Sequence, residues 1–178
     1  MTNSTHTHAA LTFLGHLDQS ATATFNIETY SDVPKGEQKP RPDPLLGRYA
    51  NLTVQQVEAL LPKLQAQNEQ GAGIFVARNQ CIGHRSEANV TRVRGVHADM
   101  DSFTKEQLFT LTATLAPSIV VESSPGRYQF YWQLSASETL EKAEAKAINQ
   151  YLAKHHGADP AAVDVSRLLR LPGFMNMK

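Results

Sequence analysis

Asp99 and Asp101 stand one residue apart at the end of the run Val93-Arg94-Gly95-Val96-His97-Ala98-Asp99-Met100-Asp101. The run reads as a buried strand. Successive side chains of a strand alternate between faces, so the two carboxylates point the same way, roughly 6.5 Å apart along the chain. An otherwise apolar strand gains nothing from two acids on one face unless something positive sits there. Hard oxygen ligands at a strand end suit divalent cations, and two metals held roughly 3.5–4 Å apart serve in-line phosphoryl and nucleotidyl transfer. The plainer alternative is a pair of acids that caps the turn into Ser102 and Phe103. His97 shares their face and reads as a packing residue or as a group that steadies a ligand from behind.

Three further sets of residues suit the same chemistry. Asp164 supplies a third carboxylate, and Arg167 and Arg170 follow it among leucines, in a segment that runs on to Asn176 and Lys178. The arginines read either as cations held against an apolar layer or as ordinary salt-bridged surface residues. Ser123-Ser124-Pro125-Gly126-Arg127 offers hydroxyls, a glycine turn and a guanidinium, and such a turn is able to cradle phosphate as well as simply join two strands. In the strand that follows, Arg127, Gln129 and Tyr131 share one face, and Tyr128, Phe130 and Trp132 share the other. One face is expected in the core, the other polar and lining a site.

The elements that must position these groups are legible in outline. A short amphipathic helix is expected over residues 8–17 and a half-buried strand over 22–30. Residues 32–44 are dense in proline and charge and read as an exposed, flexible loop. Thr53 with Gln56 opens a helix toward Gln70 that Pro62 should kink or restart. Gly71 and Gly73 end it before a strand over 73–77, and a polar loop carrying Arg85 and Asn89 leads to the Val93 strand. Thr104 with Gln107 opens a helix to about Leu115. Strands over 119–122 and 128–132 flank the serine-proline-glycine turn. A long helix is expected from Ser135, capped by Glu138, to His156, closed by Gly157. Asp159-Pro160 starts a helical turn, and 168–172 is extended. Hairpins mixed with helical crossovers imply an α+β fold on a mainly antiparallel sheet.

Size and composition set the limits. The 178 residues fit one domain with a real core. Lysine and arginine balance aspartate and glutamate at 17 each, which argues against a basic, sequence-blind DNA coat. The one cysteine, Cys81, allows no internal disulfide and no cysteine zinc site. No apolar run is long enough to span a bilayer and the first residues lack a signal pattern, so a cytoplasmic protein without membrane contact is expected.

Several of these stretches, in this order, resemble the RepB-type primase domain of plasmid and phage proteins, in the archaeo-eukaryotic primase superfamily. They are residues 71–76, 89–94, the Ala98-Asp99-Met100-Asp101 motif, 120–128, and 167–174, so the resemblance covers nearly the whole chain as a single catalytic domain, 1–178. It implies an RRM-like sheet joined to an N-terminal α/β unit, with the site between them. It implies Asp99, Asp101 and Asp164 as ligands of two Mg²⁺ or Mn²⁺ ions. Ser124, Gly126, Arg127, Gln129, Arg167, Arg170 and Lys178 would bind nucleotide, with Asn176 nearby. The implied activity is template-directed nucleotidyl transfer from nucleoside triphosphates on a single-stranded DNA template. A replicative helicase or a C-terminal helical segment would be a partner.

The chain departs from the family pattern at Gln129, where histidine is usual. That departure leaves a second reading open, a non-catalytic nucleotide or single-stranded DNA binding module on the same fold. The Asp99 stretch also looks locally like a haloacid-dehalogenase nucleophile strand and like the first motif of Y-family polymerases, but the remaining motifs of both are missing. A relaxase would need a histidine-x-histidine strand, and His6-Thr7-His8 lies in the N-terminal tail.

Overall fold

A computed structural model of the chain describes residues 3–34, 37–135, 137–176 and 178, with side chains from His8 onward. Lys35, Gly36 and Ala136, which fall in the predicted loop and long helix, lie outside the described residues, as does Met177. Among the described residues no helix is long and apolar enough to cross a membrane.

The first half of the chain builds a four-stranded antiparallel sheet backed by two helices. Helix α1 (Asn3–Leu17) places Ala10, Phe13, Leu14 and Leu17 on one face, all buried. Strands β1 (Phe25–Ser31) and β2 (Gly47–Leu52) follow, then helix α2 (Val54–Glu69) and strand β3 (Ala72–Ala77). Thr53 and Gln56 form the expected capping box. Pro62 lies inside a helix that continues past it, so the expected restart does not occur. Its ring sits two turns in, where the buried Val57, Leu61 and Leu64 hold the helix on the sheet. Strand β2 had no counterpart in the sequence reading.

The remaining strands are β4 (Gln80–Cys81), β5 (Val90–Arg92), β6 (Gly95–Met100), β7 (Ile119–Ser124), β8 (Arg127–Gln133) and β9 (Leu168–Arg170). The four-stranded sheet runs β2-β1-β3-β9, a second sheet runs β6-β8-β7, and β4 and β5 form a small hairpin. Every pairing is antiparallel. Helix α3 (Lys105–Leu115) crosses from β6 to β7 and starts at the predicted Thr104–Gln107 box. Helix α4 (Lys142–His156) follows β8. This β6-α3-β7-β8-α4 order is the RRM-like half, whose next strand, β9, joins the other sheet and ties the halves together.

The long helix begins at Lys142, not Ser135. Glu138 does accept from the Ser135 N–H at 2.7 Å, but this closes a single turn. Leu134 and Leu140, on either side of this turn, both pack on the second core.

Two apolar cores result. Phe25, Ile27, Ile74, Val76, Leu169 and Leu171 meet α1 and α2 in one, and Val96, Ala98, Met100, Tyr128 and Phe130 meet α3 and α4 in the other. Both faces of β8 are therefore buried, against the expectation of one polar face. Tyr131 joins the first core, with its ring edge-on to Phe13 at 5.3 Å, and Gln129 is buried beside it. On that face Arg127 is exposed and Gln133 half-buried.

Arg78 and Arg94 cross the seam between the halves. Arg78 is fully buried above the Tyr131 ring and donates to the carbonyls of Val96 and Trp132 at 3.2 Å. Gly95 has φ +140°, and a Cβ there would come within 2.0 Å of the Trp132 carbonyl. Only glycine fits this approach. Arg94 donates to Asp18 at 2.7 Å, with both side chains almost wholly buried, and Arg92 meets the same carboxylate.

Candidate active site

Strand β6 is the edge of its sheet, and its outward backbone groups are met by other elements. Asn149 of α4 accepts from the His97 N–H at 3.0 Å, and the Asp159 N–H donates to the Asp99 carbonyl at 2.8 Å. The strand's end is fixed by this cover. Val96, Ala98 and Met100 face the second core, which leaves His97 and Asp99 on the opposite side.

The strand stops at Met100, one residue earlier than expected. Ser102 turns left-handed at φ 62°, and the Phe103 N–H donates to the Gly126 carbonyl at 2.7 Å. Asp101 thus stands in the bend after the strand, 62% exposed, with its Oδ1 3.4 Å from Nε of Arg127. Asp99 is half-buried. Burial, then the charges of Asp101 and Asp159, push its carboxyl up to about 6, while Arg167 and Arg127 act the other way. The two acids act on one another, as their spacing implied.

Asp159 is a third acid at Asp99 that sequence reasoning missed. It was read only as a helix-start signal, a role it also fills, since its Oδ1 accepts from the Ala161 N–H at 2.8 Å. Asp164, the expected third ligand, is engaged elsewhere. Its Oδ2 lies 2.5 Å from Nη2 of Arg167, and its Oδ1 accepts from the Ser166 hydroxyl at 2.9 Å. Among the described residues no three histidine, cysteine, aspartate or glutamate side chains form a group able to hold a metal. The donor chemistry of Asp99 and Asp101 nevertheless fits a divalent cation. Both offer hard oxygens, and burial beside like charge makes an ionised Asp99 costly without a cation.

His97 lies behind the acids and is tied into the scaffold. Burial, helped by the Arg78 charge, lowers it to about 3, so the ring is neutral. Its Nε2 meets the Ala162 carbonyl at 2.8 Å and must carry the proton, leaving Nδ1 to accept from Asn149 at 3.3 Å.

The predicted phosphate-binding residues divide into two groups. Ser124 ends β7, and Pro125 and Gly126 make the hairpin turn, with Gly126 at φ 74°. The Gly126 N–H donates to Glu122 at 3.3 Å, so the turn spends this amide internally. Gln129 pairs in register with Asp99, but its Oε1 accepts from the Tyr131 hydroxyl at 3.2 Å in a buried contact. Arg127 is open to solvent beside Asp101.

Arg170 donates to Asp32 at 2.9 Å and stacks on Phe75, its guanidinium carbon 4.9 Å from the ring centroid. Asp32 is thereby buried, so the start of the predicted flexible loop is anchored. Its other end is held by Asp43, which accepts from Ser31. Lys178 joins this group. Burial lowers it, Asp32 opposes the shift, and the positive charges of Arg170, Lys39 and Arg127 add to it. Asn68 of α2 positions the tail that carries Lys178, exchanging hydrogen bonds with the Met175 backbone at 2.8 and 2.9 Å. Asn176 donates to the Ser123 carbonyl at 3.4 Å. The tail therefore lies against β7, between the two halves of the fold.

Residues 45–178 match the family described as the RepB DNA-primase N-terminal domain. A replication protein of Clostridium perfringens is 37% identical over 65 residues, which are 35% of this chain and 16% of that protein. The crystal structure of primase RepB′ superposes with a TM-score of 0.67 at 22% identity, over 95% of this chain and 51% of that one. The catalytic domain of primase RepB′ in complex with initiator DNA gives 0.63 at 22% identity, over 95% and 79%. The AEP domain of the cyanophage S-2L primase-polymerase gives 0.68 at 17% identity, over 92% and 80%. At these identities the structural likeness is one of fold, and this chain spans about half the length of the full RepB′ primase.

Proposed function

Because this chain belongs to the RepB DNA-primase N-terminal domain family, we propose that it catalyses template-directed nucleotidyl transfer, making or extending primers on single-stranded DNA in plasmid or phage replication. The observation that carries this reading is the pair Asp99 and Asp101 at the end of β6, flanked by the cations of Arg127 and Arg167. Anionic triphosphate and divalent cation would meet where opposite fixed charges already adjoin.

Asp99 and Asp101 would hold Mg²⁺ or Mn²⁺, and Asp164 would join them on exchanging its Arg167 contact for the metal. Bound ions of this kind ease ionisation of a primer 3′-hydroxyl and neutralise a departing pyrophosphate. The 3′-oxygen forms a bond to the α-phosphorus as the bond to pyrophosphate breaks, and the hydroxyl proton passes to solvent. Arg127 and Arg167 hold phosphate oxygens by paired N–H donors, and Lys178 adds a point charge from the tail. Arg170, fixed by Asp32 and Phe75, needs no reorganisation to meet the same anion. Gln129 stands opposite Asp99 in the β6–β8 register, its amide oxygen held by the Tyr131 hydroxyl. Partners on this reading are nucleoside triphosphates, template DNA, and a helicase or C-terminal helical domain.

A second reading is a nucleotide or single-stranded DNA binding module without catalysis. The engagement of Asp164 by Arg167 and the burial of Gln129 favour it. Incubation with single-stranded DNA, labelled nucleoside triphosphates and Mg²⁺ or Mn²⁺ separates the two. Products that lengthen with time support transfer, whereas binding without incorporation supports the module.

A further inference from the structure

The face of the four-stranded sheet that looks away from α1 and α2 carries a row of side chains running straight across the strands. Arg48 of β2 pairs in register with Glu28 of β1, Glu28 with Phe75 of β3, and Phe75 with Arg170 of β9. Residues in one register row share a face, so these four span about 14 Å at the usual strand spacing. Tyr30, two residues from Glu28, sets its ring 6.0 Å from that of Phe75.

Cations cover this aromatic floor. Lys39 lies over Tyr30 at 5.3 Å and Arg170 over Phe75 at 4.9 Å. Arg85 donates to Glu28 at 2.9 Å and to the Ser166 carbonyl at 2.9 Å. Arg48 is 66% exposed and lies 3.9 Å from Glu28. The acids of the face, Glu28 and Asp32, are both buried beneath the guanidiniums they hold. They orient the cations and present almost no negative surface. At its β9 end the row meets Lys178, which lies within the field of Arg127, the neighbour of Asp101.

We propose that this row, from Arg48 through Tyr30 and Phe75 to Arg170, is the track along which a single-stranded DNA template approaches the carboxylates. Fixed cations over paired rings are the combination that binds single strands without sequence preference, because phosphates take the charges and every base has a face to stack. Arg170 stays over Phe75 as a phosphate contact, and the half-buried Tyr30 ring offers stacking to an unpaired base and none to a duplex. Lys39 moves from the Tyr30 ring to a phosphate, and the ring it bares takes a base. The proposal rests on the primase reading and assigns the DNA to a surface that meets the triphosphate groups only at Arg170.

The test is fluorescence anisotropy of a short labelled oligothymidylate with the whole chain, across a salt series, beside a primer-synthesis assay of the wild type. Arg48→Ala should make the slope of log K against log salt shallower by about 0.7, and Arg48→Glu should weaken binding about tenfold at low salt. Tyr30→Leu, which keeps apolar bulk, should weaken it by about tenfold. Binding of a labelled nucleoside triphosphate should be unchanged in all three. DNA affinities equal to wild type in Arg48→Glu and Tyr30→Leu, with circular dichroism unaltered, would overturn the track even if primers are made. Loss of DNA affinity in a chain that makes no primers would uphold the track and discard nucleotidyl transfer.

Discussion

Asp164 and Arg167 are joined by a 2.5 Å contact three residues apart on the segment leading into β9. The same guanidinium acts on Asp99 from across the site. Arg167 is thus the shared counter-ion of a carboxylate at the end of β6 and one from the far end of the chain. Removing it with Arg167→Ala should raise the Asp99 titration further, followed by carboxyl NMR, and weaken triphosphate binding at least about tenfold. The stability cost should stay near 1 kcal/mol, since both partners are partly solvated.

The carboxyl of Asp99 predicts a pH dependence with a definite sign. Its ordinary value is 3.8 and the fold raises it to about 6. The stability associated with its neutral form is full below about pH 4 and is lost as pH rises through about 6. Asp99→Asn should therefore be more stable than wild type at pH 8, by on the order of 2–3 kcal/mol, with the difference vanishing near pH 4. Thermal denaturation at both values checks it. Mn²⁺ should raise the wild-type melting temperature at pH 8 and leave that of Asp99→Asn unmoved.

Gln129 and Arg127 should behave differently although they share a strand face. Gln129→Ala leaves the buried Tyr131 hydroxyl without its acceptor and should cost about 1–3 kcal/mol in urea denaturation. Arg127→Ala touches nothing buried and should leave stability within about 0.5 kcal/mol of wild type while weakening nucleotide binding.

Asp18 and Arg94 form a buried pair at the seam of the two halves. Burial alone would raise the Asp18 carboxyl, but the Arg94 hydrogen bond and charge hold it below the ordinary range. Asp18→Asn would leave Arg94 uncompensated and should cost about 3–5 kcal/mol, read as a shift of the urea midpoint.

The parts of the fold that were legible in the sequence are those fixed by local chemistry. The capping residues Thr53 and Thr104 mark true helix starts, and the proline-glycine turn after Ser124 joins β7 to β8. Asp101 acts on Asp99 although it stands in the bend, one residue beyond the strand whose alternation was expected to place it. What was not legible depends on contacts distant in sequence. Strand β2 is an edge strand with most side chains only half-buried or exposed, so it lacks the apolar run that would announce it. Ser135 and Glu138 have a capping-box spacing, yet the core claims Leu134 and Leu140 and delays the helix. Arg78 is a lone cation after an apolar strand, and nothing local says that it is buried over Tyr131. Asp159 looked like a cap because its second role depends on a backbone bond to Asp99, sixty residues earlier. The Arg48–Glu28–Phe75–Arg170 row exists only once the register of four strands is known.

The most direct test of nucleotidyl transfer is primer synthesis on single-stranded DNA with labelled nucleotides and Mg²⁺ or Mn²⁺, comparing wild type with Asp99→Ala and Asp101→Ala. Nucleotidyl transfer at these carboxylates predicts products from the wild type and none from either variant, with circular dichroism and nucleotide binding retained in both. Products from a folded Asp99→Ala or Asp101→Ala protein at the wild-type rate would contradict it.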